Sequence, residues 1–164
     1  MNLLNYIDKI THVPLQHVRV HCVISFSGMV LFYARQVEIV NGSTNNLTFP
    51  LVDTNVGHDY NSTSGVFTCD ISGYYWFSVT LTADLNKHID RFQCDFIINE
   101  RYVMLLYIDP GNDQTSNSTL PATGSMGYHL NHGDRVHVGN CQHPERIDNY
   151  LSTHFSGILI KPDA

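Results

Sequence analysis

The chain has 164 residues and a mass of 18.6 kDa, which favours a single domain with a self-supporting core. Charged residues make up 15% of the sequence, against about 25% in typical globular proteins, so disorder and coiled coil are both poor fits. The net charge is −6 with no basic run, which argues against nucleic acid as a partner, and no apolar run approaches the ~20 residues of a membrane span, so we expect a soluble protein.

The N-terminal segment is predicted to be separate from the rest of the chain. Apolar residues recur at helical spacing over residues 1–13, and Pro14 ends the pattern. The same segment lacks the basic and apolar regions of a secretory signal. A helix this short needs a partner surface. We therefore expect residues 1–18 to be a stub, the end of an upstream helical or coiled-coil segment, and residues 19–164 to form one globular domain.

From residue 20 onward the hydrophobic period becomes two, which is typical of strands. The clearest example is residues 73–83, where apolar residues form one face and Ser78, Thr80 and Thr82 belong to the other. One face must meet a core and the other a wetter environment. The alternating apolar positions are Val20, Cys22, Ile24 and Phe26; Tyr75, Phe77, Val79, Leu81 and Ala83; Phe92, Cys94, Phe96 and Ile98; Met126, Tyr128 and Leu130; Val136 and Val138; and Phe155, Gly157 and Leu159.

Residues 102–108 are apolar almost throughout, which predicts a strand covered on both sides. Turn-forming clusters separate the strand-like segments, and no helical window of ten or more residues occurs after residue 14. Eight to ten short strands with turns at this spacing predict an all-β fold, a single β-sandwich or jelly roll. No internal repeat or linker divides it.

The four cysteines are Cys22, Cys69, Cys94 and Cys141. They lack the paired spacing of a zinc site or a redox motif, and each lies in a strand-like segment. We expect them to be free and buried, because a small thiol in a strand is commonly a core residue. At least one disulfide is the alternative, and the sequence cannot choose among the three possible pairings.

Four Asn-x-Ser/Thr sequons lie in polar, turn-like stretches and are candidate N-glycosylation sites: Asn41, Asn46, Asn61 and Asn117. They favour secretion weakly.

The ten histidines form no H-x-H or H-E-x-x-H pair, so a transition-metal site is not predicted. The sequence around Ser125 is one residue short of a nucleophile elbow and is typical of a strand. We expect no enzymatic activity and no catalytic residue.

Seven residues at fixed spacing occupy the middle of the chain: Phe49, Asn55, Tyr60, Phe67, Gly73, Tyr75 and Phe77, with five, four, six, five, one and one intervening residues. This pattern strongly resembles the signature of the complement C1q globular-domain family. Flanking stretches at residues 23–27, 132–136 and 155–163 agree, so the resemblance covers residues 20–163. Val79 and Lys161 depart from the family pattern, and no Gly-x-y stretch of a collagen stalk precedes the domain in this chain.

The resemblance implies a ten-stranded jelly-roll β-sandwich of the C1q/tumour necrosis factor-like type that assembles as a homotrimer or heterotrimer. A low charge fraction and apolar residues on both faces of several segments make such an assembly physically reasonable. Four large apolar residues are candidates for the protomer core or the trimer interface: Tyr75, Phe77, Tyr102 and Phe155.

The resemblance also implies candidate binding residues. Several family members hold calcium near the trimer axis, and Asp90 and Asn99 fall roughly where such ligands occur. Calcium needs several oxygen ligands, so two residues make a site only if three chains contribute. We expect no other cofactor. Ligands would contact the long polar loops, with Tyr107, Arg146 and Tyr150 as candidate contacts.

The function that follows is a non-enzymatic, secreted, extracellular recognition module of innate immunity, lectin-like and trimeric, which binds glycans or microbial surfaces. One alternative is a signalling or adhesive ligand of a protein receptor, as adiponectin and cerebellin are. A further alternative is a trimerisation module of a longer protein. The expected partners are other copies of the chain and a glycan, a microbial surface or a receptor, without nucleic acid or a membrane span.

Overall fold

The structure, a computed structural model, describes residues 28–38, 46–84, 91–109, 119–148 and 152–164. These segments are almost entirely β, as predicted, with one turn of 3-10 helix at Pro144–Arg146, and no helix in them is long and apolar enough to span a bilayer. The strands are β1 (Leu31–Arg35), β2 (Leu51–Val56), β3 (Tyr60–Asn61), β4 (Val66–Thr68), β5 (Gly73–Asp84), β6 (Phe92–Ile98), β7 (Arg101–Ile108), β8 (Thr119–Leu130), β9 (Arg135–Gln142) and β10 (His154–Pro162). The predicted stub at residues 1–18 and the strand predicted at 20–26 lie outside the described residues.

The ten strands form two antiparallel sheets of five. Sheet I has the order β2-β1-β10-β5-β8, and sheet II has the order β3-β4-β9-β6-β7. The chain passes repeatedly from one sheet to the other, and the two sheets enclose one hydrophobic core. This arrangement confirms the predicted ten-stranded jelly roll.

Strand β5 shows most clearly how the sequence dictates the fold. Its alternate residues from Tyr75 to Ala83 are at most 1% exposed and face sheet II across the core. The intervening Tyr74 and Trp76 are 54% and 48% exposed on the outward face. The two-residue period therefore predicted the buried face correctly, while the outward face is more aromatic than a solvated face normally is.

The core is built from aromatic rings contributed by both sheets. Phe32 is stacked on Tyr60 and Phe67, with ring centroids 4.8 and 5.3 Å apart, and meets Phe155 edge-on at 4.9 Å. Offset and edge-on contacts of this kind stabilise a core beyond the area that they bury. Three of the predicted core or interface residues belong to the core of one protomer: Tyr75, Phe77 and Phe155.

The signature residues hold the chain path between β2 and β5. The buried Tyr60 hydroxyl accepts the N–H of Phe49 at 3.1 Å, and the Asn55 carboxamide donates to the Tyr60 carbonyl at 2.8 Å. These bonds satisfy backbone groups that would be costly to bury unpaired. At Gly73 a Cβ would lie 2.3 Å from the carbonyl oxygen of Lys161, so no side chain fits there. The pattern that identifies the family is therefore structural.

The expectation of free cysteines is wrong for Cys94 and Cys141, which form a disulfide between β6 and β9 with Cα atoms 4.1 Å apart. Both side chains point into the core from neighbouring antiparallel strands, so the alternation that indicated buried thiols also brings them together. Cys69 is free and buried, as expected, with its thiol 3.2 Å from the Ile71 carbonyl, and burial raises the pKa of that thiol. Cys22 lies outside the described residues.

Replacing Cys94 and Cys141 together by alanine is expected to lower the free energy of unfolding by about 2–4 kcal/mol. The disulfide joins residues 47 positions apart, and closing a loop of that length restricts the unfolded chain strongly. Denaturant unfolding at pH 7 without reductant measures the difference. The control Cys69→Ala removes a buried sulfur but no cross-link, and it is expected to cost about 1 kcal/mol. Equal losses in the two variants would contradict a stabilising cross-link.

The prediction that residues 102–108 are covered on both sides is wrong for a single protomer. Strand β7 is the edge strand of sheet II, and Tyr102, Leu105 and Tyr107 are 69%, 53% and 44% exposed. Leu106 is buried between them. An apolar run indicates two covered faces, but it does not say whether the cover comes from the same chain or from another one. The outer side of β7 is open in the protomer.

Candidate functional site

The outward face of sheet I, called here the sheet I face, carries an apolar row that crosses all five strands. The strand register places side by side Val56, Leu31, Ile158, Trp76 and Gly127. Trp76 and Val56 are 48% and 41% exposed. A Cβ at Gly127 would come 3.5 Å from the Trp76 ring, so the ring lies over this glycine. The row is a flat apolar surface.

The next row of the sheet I face consists of small or aromatic uncharged residues. Tyr33, Ser156, Ser78 and Ser125 are paired in register across four strands. Neither row contains a charged side chain, although an exposed sheet face normally carries charges or long polar side chains. Such a surface is desolvated at low cost, which is typical of a protein interface. Ser125 lies within β8 and not on a nucleophile elbow, as expected from the sequence.

Apolar residues also line the edge of the sandwich beside the sheet I face. Strands β7 and β8 end their respective sheets on the same side of the molecule, because a Cβ at Gly124 of β8 would lie 2.6 Å from the Met104 sulfur of β7. Leu105 and Tyr107 are exposed along this edge. The protomer therefore offers two unlike apolar surfaces, a face and an edge.

The outward side of sheet II carries a polar cleft of about 410 Å³, called here the sheet II cleft. Strands β6, β7 and β9 form its floor and walls, and the register places Ile97 between Tyr102 and His137. Tyr102, the fourth predicted core or interface residue, is not in the core and borders this cleft. The lining residues are Asn46, Ile97, Glu100, Tyr102, Arg135, His137 and Asn140.

His137 is the buried polar group of the cleft. The residue is 7% exposed, and its buried Nδ1 atom has no hydrogen-bond partner among the residues that the structure describes. Burial lowers the pKa of His137, while the nearby Glu100 raises it and Arg135 lowers it, so the ring is neutral at pH 7. A buried polar atom without a partner costs about 1–3 kcal/mol. Ordered water commonly satisfies a buried polar atom of this kind.

The hairpin turn between β6 and β7 shapes one end of the cleft. Asn99 and Glu100 have φ angles of 48° and 63°, the pattern of a two-residue turn with both central residues left-handed. Asparagine suits this conformation but glutamate does not, so Glu100 is held there by its surroundings. The Asn99 oxygen accepts the N–H of Arg135 at 2.9 Å, and its nitrogen donates to Asp134 at 2.7 Å.

These bonds bear on the predicted calcium ligands. The carboxamide oxygen of Asn99 accepts one backbone N–H, which leaves it one lone pair for a cation. Asp90 lies outside the described residues. In the described segments no three acidic, histidine or cysteine side chains cluster so that they could hold a metal ion.

The predicted ligand-binding residues were expected on exposed loops, and the two that the structure describes lie in regular elements. Tyr107 lies in β7, and its hydroxyl donates to Asp109 at 3.2 Å. Arg146 lies in the 3-10 helix with its side chain only 13% exposed and its Nε 3.6 Å from Glu145. Tyr150 lies outside the described residues.

Two of the four predicted glycosylation sites are described. Asn61 is exposed, and its side-chain oxygen accepts the N–H groups of Thr63 and Ser64 at 2.9 and 3.2 Å. Asn46 is half-buried at the border of the sheet II cleft. Asn41 and Asn117 lie outside the described residues.

Comparison with known proteins agrees with this architecture. The family model of the C1q domain matches residues 31–160. The globular domain of zebrafish complement 1qA protein superposes with a TM-score of 0.63 at 18% identity, over 82% of this chain and 99% of that chain. Murine APRIL at pH 8.0 and at pH 5.0 gives TM-scores of 0.59 and 0.60 at 8% and 9% identity, each over 80% of this chain and 99% of that chain. These solved structures share the fold of the chain.

Proposed function

The chain belongs to the C1q domain family, and we propose that it is a secreted, non-enzymatic recognition module that acts as a homotrimer and binds glycans of microbial surfaces. The observation that carries this proposal is the pair of uncharged rows on the sheet I face beside an apolar edge. An exposed apolar surface of this kind is expected to be covered by another copy of the chain.

The two unlike surfaces favour a ring. When the face of one protomer contacts the edge of the next, the contact is heterologous, and a heterologous contact that closes produces cyclic symmetry. Domains of this family typically form trimers. In the proposed trimer, Trp76 on the face is covered by the neighbouring edge that carries Leu105 and Tyr107. Each protomer contributes one face and one edge, so all three faces and all three edges are covered in the closed ring.

The disulfide supports an extracellular location. Cross-links between cysteines persist in oxidising compartments and are rare in the cytosol. The Cys94–Cys141 disulfide and the exposed sequon at Asn61 both suit a secreted protein. The protein is accordingly proposed to meet its ligands outside the cell. Calcium at the trimer axis stays part of the proposal, with three chains supplying the oxygens that one protomer lacks.

A trimer suits the recognition of repetitive surfaces. Three equivalent sites around one axis turn weak single-site binding into avidity, which exceeds the single-site affinity by about 10²–10⁴-fold when the geometry permits simultaneous contact. Glycans repeat densely on microbial surfaces, so weak sites suffice. A receptor ligand would instead bind through contacts with a protein surface.

Binding of the unaltered chain to immobilised bacterial and yeast polysaccharides tests the proposal. We expect saturable binding that free sugar inhibits at millimolar concentration, and at least 10²-fold weaker surface binding by a monomeric variant. Binding to a protein receptor that free sugar does not inhibit would favour the signalling or adhesive alternative. A trimer that binds neither class would favour a module that only assembles a longer protein.

A further inference from the structure

We propose that the sheet II cleft is a saccharide site, in which one neutral pyranose ring stacks on Tyr102 and hydrogen-bonds to Glu100 and Arg135. The inference rests on the proposed function and assigns its ligand contacts. The sequence predicted that the ligand contacts lie on the long polar loops. The proposed site instead uses residues of β6, β7 and β9 and of the turn between β6 and β7.

The cleft has the features of a built site. Its volume of about 410 Å³ lies within the range of about 300–1,000 Å³ that is typical of small-molecule sites. His137 lines the cleft and is more than nine-tenths buried, so it supports the neighbouring Glu100 and Arg135, whose side chains are exposed to a ligand. The left-handed backbone at Glu100 is unusual for a glutamate and is a second sign of a specific role.

The side chains of the cleft match the chemistry of a sugar. Glu100 and Arg135 are exposed, and in the described part of the chain neither side chain forms an ion pair with another residue. A carboxylate accepts two adjacent hydroxyl protons, and a guanidinium donates to hydroxyl and ring oxygens. Asn140 and Asn46 add carboxamides that can do both.

Tyr102 distinguishes a sugar from other polar ligands. Its side chain is 69% exposed at the wall of the cleft, so the ring face is open to a ligand. The carbon-bound hydrogens of a pyranose present an apolar face that packs on an aromatic ring. One acid and one base cancel in formal charge, so the lining favours a neutral ligand over a phosphate or a carboxylate.

The cleft and the sheet I face belong to different sheets, so each can be altered separately. Tyr102, Glu100 and Arg135 lie on the outward side of sheet II, whereas Trp76 lies on the outward side of sheet I. Tyr102 shares strand β7 with the interface residues Leu105 and Tyr107, so the molar mass of each cleft variant is measured together with its binding and is expected to equal that of the unaltered chain. Loss of ligand binding can therefore be distinguished from loss of the trimer.

The test measures dissociation constants by ligand-observed NMR for the methyl glycosides of glucose, mannose, galactose and N-acetylglucosamine, and for N-acetylneuraminic acid and phosphocholine as charged comparisons. The protein is produced in a bacterial periplasm, where the disulfide forms and Asn46 stays unglycosylated. We expect at least one glycoside to bind, Tyr102→Ala and Arg135→Gln each to weaken it by about tenfold, and Tyr102→Phe to bind within about threefold of the unaltered chain.

Arg101→Gln is the matched control, because Arg101 is an exposed arginine next to Tyr102 that does not line the sheet II cleft. We expect it to leave binding unchanged. A bound glycoside whose affinity is the same in Tyr102→Ala and Arg135→Gln would overturn the cleft as its site but not the proposed function. Failure of all four glycosides, or preference for N-acetylneuraminic acid or phosphocholine, would overturn the neutral-sugar assignment. A monomeric unaltered chain would separately refute the trimer.

Discussion

The variant Trp76→Arg is expected to be a monomer of 18.6 kDa, whereas the unaltered chain forms a particle of about 56 kDa, three times that mass. Trp76 is 48% exposed in the protomer and lies in the apolar row of the sheet I face, between Ile158 and Gly127. In the proposed trimer its ring is covered in all three copies. Arginine at this position would place three charges in a desolvated interface without partners, which costs several kcal/mol per ion.

Two controls separate the loss of assembly from the loss of folding. Trp76→Phe keeps an aromatic ring over Gly127 and is expected to retain the trimer. Gln142→Arg adds the same charge at an exposed position of sheet II and is expected to leave the mass unchanged. Light scattering measures the mass, and circular dichroism verifies that each variant is folded. A folded Trp76→Arg trimer would refute the sheet I face as the interface.

The variant Phe77→Ala is expected to lower the free energy of unfolding by about 3–5 kcal/mol. Phe77 is fully buried, and its ring centroid lies 5.5 Å from that of Phe67 and 5.7 Å from that of Phe96. Removing the ring leaves a cavity between the two sheets that rigid aromatic neighbours cannot fill. For a protein whose total stability is about 5–15 kcal/mol, this loss leaves little folded protein on mild heating.

The matched control is the next residue along the same strand. Ser78 faces outward on the sheet I face, so Ser78→Ala removes one hydroxyl without opening a core cavity and is expected to change the free energy of unfolding by at most about 1 kcal/mol. Urea unfolding of the two variants and the unaltered chain, at one protein concentration, measures both differences. Equal effects of Phe77→Ala and Ser78→Ala would mean that the alternation of β5 does not define the core.

Much of the fold could be predicted because short-range sequence patterns indicate which residues are buried. The alternation in β5, β6 and β9 indicated which faces are buried, and the spacing from Phe49 to Phe77 indicated the jelly roll. The disulfide could not be predicted, because Cys94 and Cys141 are 47 residues apart and meet only through the pairing of β6 with β9. The hydrophobic period within a strand does not indicate which other strands pair with it.

The candidate site was predictable only in part. Trp76 had a readable signal, because the period that buries Tyr75 and Phe77 must turn Trp76 outward, where a large aromatic residue is unusual. The sheet II cleft had no signal in the sequence. Glu100 and His137 come from separate strands, and neither belongs to a motif of known spacing. Such a site appears only once the register of the sheet is known.

The molar mass of the unaltered chain in solution tests the claim that a second copy covers the sheet I face. Light scattering is performed at pH 7 with calcium and again with a chelator. We expect about 56 kDa in calcium. A fall to 18.6 kDa in chelator would support axial calcium, and an unchanged mass would remove calcium from the proposal while leaving the trimer. A mass of 18.6 kDa in both solutions would contradict the claim, because the sheet I face would then be open to water with no second copy to cover it.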